Sequence, residues 1–107
     1  MAARYLSEQG YRLVGQNVRT PYGEIDLMVE KGGVTVFVEV KTRSGTGFGL
    51  PEEAITRTKR EHILAAIAYY WQQADKPETD WRVDVVAVLR LANGTEVEVM
   101  HFENAIG

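Results

Sequence analysis

Two carboxylates, Asp26 and Glu39, lie on runs that read as neighbouring strands, and Lys41 follows the second by one same-face step. The runs are Glu24–Glu30 and Val34–Thr42, separated by Lys31-Gly32-Gly33, and a Gly-Gly pair between such runs signals a hairpin. With Gly32-Gly33 as a two-residue loop, Lys31 faces Val34, Asp26 falls opposite Glu39, and Glu24 falls opposite Lys41. Alternation then puts Glu24, Asp26, Met28, Phe37, Glu39 and Lys41 on one face. The other face carries Ile25, Leu27, Val29, Val36, Val38 and Val40. Directly opposed Cβ atoms are roughly 4.5–5.5 Å apart. Two carboxylates held there repel each other unless one takes a proton or a cation sits between them. A hard divalent cation such as Mg²⁺ accepts one or two carboxylates and completes its shell with waters and phosphate oxygens. Asp26 and Glu39 suit that role, and Glu24 could ligand through a water or pair with Lys41. Lys41 could position or deprotonate an attacking water, or neutralise charge on a phosphate. The competing reading is a half-exposed hairpin with one apolar and one charged face. Against it stands the opposition of Asp26 and Glu39, which an ordinary surface avoids.

The elements that must hold these groups follow from periodicity and turn residues. Residues 2–9 read as a short helix ended by Gly10, and Tyr11 to Val14 as a short strand. Asn17 to Gly23 reads as irregular, with a turn at Pro21-Tyr22-Gly23. Arg43 to Leu50 holds three glycines and reads as a loop. Pro51 suits a first helical position with Glu52 and Glu53 in the favourable first turn, and the helix runs to about Gln73. Its apolar stripe is Ile55, Ile63, Ile67 and Tyr70. Trp81 to Leu91 is a Val-rich strand, Asn93-Gly94 a second hairpin turn, and Thr95 to Phe102 the returning strand. A helix between Val34–Thr42 and Trp81–Leu91 implies a crossover, so those strands lie parallel. The expectation is one α/β domain over residues 1–107, with a mixed central sheet flanked by helices on both sides.

Composition narrows the function. With 107 residues the chain has room for one core and not two. It has no cysteine, which excludes disulfides, thiolate metal sites and cysteine nucleophiles and fits a reducing cytoplasm. No apolar run approaches the length of a membrane span, and the start lacks the layout of a secretory signal. The net charge of −3 is not a global basic field, so a nucleic-acid role needs a metal, a local basic patch, or both. Arg43, Arg57 and Arg60 flank the glycine loop and the helix start and are the candidates for that patch. Lys59 sits on the apolar stripe, where it either reaches the acidic face or a phosphate, or lays its stem over apolar surface. Arg82 and Asp84 share a strand face and read as a structural ion pair. His62 and His101 have no second ligand at metal spacing and read as structural or surface residues. Tyr69, Tyr70 and Trp71 read as core or interface packing, which leaves room for a homodimer built on that helix.

Asp26 with Glu39-Val40-Lys41 resembles the PD-(D/E)XK nuclease signature. The longer strings Gly23-Glu24-Ile25-Asp26-Leu27 and Val36-Phe37-Val38-Glu39-Val40-Lys41-Thr42-Arg43 resemble the YraN-like family, placed near archaeal Holliday junction resolvases. The match continues through Phe48-Gly49, Pro51, Ala54, Lys59, Arg82 with Asp84, and Asn104-Ala105. The resemblance implies a restriction-endonuclease-like core and metal-assisted hydrolysis of DNA phosphodiesters, at branched or damaged DNA. It implies Asp26 and Glu39 as ligands of Mg²⁺ or Mn²⁺, the Val40 carbonyl as a further ligand, and Lys41 as the catalytic lysine. Two features depart from the pattern. Ile25 stands where the literal motif has proline. The resolvase relatives carry a first-helix glutamate, and Glu8 is no substitute because it lies beyond Leu6 near the helix end. The expectation is that the start is truncated or the fourth acid is missing. The alternative is therefore a catalytically inactive nucleic-acid-binding or protein-interaction module on a nuclease scaffold.

Overall fold

A computed structural model describes residues 1–44, 56–90 and 97–106, the side chains of Arg43 and Ser44 excepted. Among the described residues the order is α1 (Ala2–Glu8), β1 (Arg12–Thr20), β2 (Gly23–Lys31), β3 (Val34–Ser44), α2 (Arg57–Gln73), β4 (Asp80–Arg90) and β5 (Val97–Phe102). The five strands form one sheet in sequence order. β1–β2, β2–β3 and β4–β5 are antiparallel. β3–β4 is parallel, as a strand–helix–strand crossover requires.

The hairpin register follows from its turn. Gly32 and Gly33 have φ of 59° and 80°, the positive values that a two-residue I′ turn needs at both central positions. Lys31 pairs with Val34 and Leu27 with Val38, as the sequence predicts. The ladder ends there, so the expected pairs Asp26–Glu39 and Glu24–Lys41 are not made. Asp26 departs from the pleat instead. Its neighbour across β1 is Asn17, between Gln16 and Val18, and Asn17 is left-handed at φ 49°. Ile25 is consequently on the opposite face from the one alternation assigns. It packs with Met28 and Phe37, not with Leu27 and Val29.

Each face of the sheet buries its own core. On one side Ala2 and Leu6 of α1 cover Leu27, Val29, Val36 and Val38. On the other, Ala66, Ile67 and Trp71 of α2 cover Met28, Phe37 and Val83. The two helices thus flank the sheet on opposite faces, as expected for a mixed α/β layer. The irregular stretch predicted from Asn17 is shorter than expected, because β1 runs to Thr20. The described helix begins at Arg57 and not at Pro51, and Glu52 and Glu53 lie outside the described residues. Its start follows from Thr56, an extended residue whose hydroxyl accepts from the Lys59 amide at 3.2 Å, an ordinary N-cap. The glycine loop from residue 45 and the Asn93-Gly94 turn also lie outside the described residues. No described helix is long and apolar enough to cross a membrane.

Candidate metal and nucleic-acid site

Asp26 and Glu39 reach the same place by different routes. Glu39 follows from plain alternation on β3, two residues after Phe37, and faces α2. Asp26 lies where β2 leaves the ladder, and its Oδ2 accepts the Val40 amide at 2.8 Å. That bond replaces the main-chain partner Val40 would otherwise find on β2. A buried amide needs some acceptor, so the break in the ladder and the position of Asp26 fix each other. Both acids line a cleft of about 450 Å³ between the sheet and the start of α2.

Glu39 is buried, with 8% of its surface exposed, and a buried carboxylate must be compensated. Two ammonium groups do this. Lys59 Nζ is in direct contact with Glu39 Oε1, and Lys41 Nζ lies 3.6 Å from the same oxygen. Burial alone would lower the Lys59 pKa. Its hydrogen bond to Glu39 and the fields of Glu39 and Asp26 oppose burial and leave it raised. Two acids and two lysines therefore form a compact cluster with no net charge. Lys59 had two readings from sequence, and its amine reaches the acidic face and does not simply rest in water.

Among the described residues no three or more His, Asp or Glu side chains converge as a metal cage. Two carboxylates remain, and they fit a hard divalent cation of the kind that leaves most of its shell to waters and phosphate oxygens. Glu24 lines the cleft too, but its ion pair is with Arg19, at 3.8 Å. Of the proposed phosphate contacts, Lys59 lines the cleft and Arg57 is exposed one turn-edge away. Arg60 instead donates to the Ile106 carbonyl at 3.2 Å and ties the chain end to α2. The Arg43 side chain lies outside the described residues. Tyr70 and Trp71 pack edge-on against Phe37, as core packing predicts.

Three polar residues that α2 and its cap bring to the cleft were not read as functional. His62 and the hydroxyl residues Thr56 and Thr58 line it from the start of α2. Their spacing shows this only once the helix start is known. A second cluster lies on the other face of β4. Asp84 is wholly buried and accepts from Arg82 Nε at 2.9 Å and from the Asn104 amide at 2.9 Å. His101 Nε2 sits 2.7 Å from its other oxygen, and Arg82 Nη2 also donates to Tyr11 Oη at 2.8 Å. The structural ion pair expected of Arg82 and Asp84 is present, and His101 belongs to it. A two-residue turn at Asn93-Gly94 would have set Val86 against His101, as observed, and so put His101 one same-face step from Asp84.

Comparison with known proteins gives a consistent result. The description "Uncharacterised protein family UPF0102" matches residues 1–88. A UPF0102 protein of Syntrophotalea carbinolica is 41% identical over 105 residues, covering 98% of this chain and 84% of that one. A UPF0102 protein of Rhodococcus opacus is 38% identical over 105 residues, covering 98% and 88%. The UPF0102 protein CT2262 of Chlorobaculum tepidum is 44% identical over 92 residues, covering 86% and 71%.

Proposed function

The chain belongs to the uncharacterised protein family UPF0102, and from that premise and its cleft we propose a divalent-metal-dependent endonuclease of the PD-(D/E)XK kind. Its substrate is DNA, branched or damaged, and its place is the cytoplasm. The observation that carries the reading is the convergence of Asp26, Glu39 and Lys59 at one cleft, with Lys41 3.6 Å from the same Glu39 oxygen that Lys59 contacts. A structural hairpin has no use for two acids lining one cleft, one of them buried and held by two lysines.

Asp26 and Glu39, with the Val40 carbonyl, would hold Mg²⁺ or Mn²⁺. A bound ion there would supply hydroxide at neutral pH and spread charge off the phosphate. The rest is the work of the chain. Lys41 and Lys59 fix Glu39 Oε1, so the carboxylate is oriented before any ligand arrives. With such an ion held by the acids, both ammonium groups would be placed to balance charge developing on the phosphate oxygens. Glu24 stands at the edge of the same cleft, where it can order a water.

The test is cleavage of linear, nicked and four-way DNA with Mg²⁺ or Mn²⁺, beside Asp26→Asn. Asparagine keeps an oxygen for the Val40 amide, so the variant should fold while losing the charge that binds metal. Wild-type cleavage that falls by about 100-fold or more in the variant is expected, the scale of losing a group that acts in the transition state. Cleavage that persists in Asp26→Asn would overturn the site. A second reading is favoured by one observation: Glu39 is already satisfied by two lysines. DNA binding without cleavage would make the chain a nucleic-acid-binding module instead.

A further inference from the structure

Resting on the nucleic-acid reading of the cleft, we propose that its apolar half is a pocket for one unpaired nucleobase, with Tyr22 as the stacking wall. Phosphodiester hydrolysis needs only the polar end, where Asp26, Glu39 and Lys59 stand. The remainder is lined by Ile25, Phe37, Ile63 and Val83, with Tyr22 beside them. The backbone of a regular duplex offers nothing to such a surface, because its bases are stacked inside. An unstacked base offers two apolar faces and a polar edge, and it is taken up between aromatic and apolar side chains with hydrogen bonds to that edge. Thr58 and His62, both exposed on the α2 wall, are the donors and acceptors available for the edge.

Tyr22 is 52% exposed, among the largest apolar exposures described. It is also held in position. The Thr20 hydroxyl accepts from the Tyr22 amide at 3.1 Å and donates to the Gly23 carbonyl at 2.7 Å, which locks the β1–β2 turn. The ring meets Tyr69 of α2 edge-on, with centroids 6.4 Å apart. An aromatic ring presented in a fixed pose loses little freedom when a base stacks on it. Charge complements the strand as well. Asp26, Glu39, Lys41 and Lys59 sum to no formal charge, and Arg57 adds a cation at the first turn of α2, which holds no acid.

The test is fluorescence anisotropy in EDTA, so that binding is read without cleavage. The probes are a single DNA strand, the same strand as RNA, a blunt DNA duplex, and a duplex with one bulged 2-aminopurine. The single strands and the bulge should bind more tightly than the blunt duplex, and the 2-aminopurine should be quenched on binding. Tyr22→Ala should weaken single-strand binding by about 10- to 100-fold, the usual worth of one base–aromatic stack, while Tyr22→Trp retains it. Equal binding of DNA and RNA strands supports the pocket, since the base is what it reads. A blunt duplex bound as tightly as the single strands, or Tyr22→Ala binding like wild type, overturns it. Should Asp26-dependent cleavage proceed on plain duplex with Tyr22→Ala fully active, the nuclease reading survives and the base pocket falls. If no nucleic acid binds at all, both fall.

Discussion

At the scale of the residue, the site turns on one carboxylate oxygen with two lysines. Glu39 Oε1 is reached by Lys41 from its own strand and by Lys59 from α2, so strand and helix are joined through it. The raised Lys59 pKa sets the sign of a pH effect: Glu39 holds the charged lysine more tightly than water does in the unfolded chain. The stabilisation is complete below the ordinary lysine value of about 10.4 and is lost as pH rises through the folded-state value. Its size is below about 1 kcal/mol, because 37% of the Lys59 side chain is exposed and solvent screens the pair. The urea midpoints of wild type and Lys59→Met should therefore differ near neutral pH and converge at strongly alkaline pH. A gap unchanged between the two conditions would mean the lysine acts through its apolar stem alone.

At the scale of the element, α2 is built against its own dipole. The positive end of a helix favours acids, yet the first turn after the Thr56 cap carries Arg57, Lys59 and Arg60 and no acid. Arg57→Glu should thus stabilise the fold by about 0.3–1 kcal/mol at low salt, and the same change should weaken DNA binding, with both effects shrinking as salt is added. A thermal melt and a salt titration of binding read the two sides. β4 presents the opposite case, a charge whose removal harms. Asp84 is fully buried and accepts from Arg82, His101 and the Asn104 amide, so Asp84→Ala would remove the acceptor that these three groups share. The expected loss is about 1–3 kcal/mol, the scale of leaving a buried donor unsatisfied, read as a drop in urea midpoint. How far these elements could be foreseen depends on local chemistry. The Gly32-Gly33 turn fixed the β2–β3 register, and the crossover fixed the parallel pair, so five strands and two flanking helices were legible. The break at Asp26 was not, because it depends on left-handed Asn17 in a neighbouring strand. Nor was the partnership of Lys59 with Glu39, since no local pattern reports which turn of a helix docks on which end of a strand.

At the scale of the whole molecule, the sheet divides stability from function. One face buries α1 over mostly aliphatic side chains, and of that core Val38 alone also lines the cleft. The other buries α2 over Phe37, against which Tyr70, Trp71 and Trp81 pack edge-on with centroids 5.8–6.0 Å away. That aromatic cluster sets the docking of the helix that brings Lys59, Thr58 and His62 to the acids. Leu6 and Phe37 are both at most 1% exposed, so truncating either should cost stability on a similar scale. Leu6→Ala should lose about 2–5 kcal/mol and Phe37→Ala about 3–5 kcal/mol, amounts a domain with 10 kcal/mol or so survives in dilute buffer. Their effects on the cleft should part. Leu6→Ala leaves the α2 wall in place, so Mn²⁺ binding and Asp26-dependent cleavage should stay near wild type. Phe37→Ala removes the surface on which α2 rests, so both should fall, with Lys59→Met adding little further loss in that background. Calorimetric Mn²⁺ titration of the two variants, at a temperature where each remains folded, makes the comparison. Equal losses of Mn²⁺ binding in both would mean that the two faces are not independent, and that the cleft depends on the stability of the sheet as a whole.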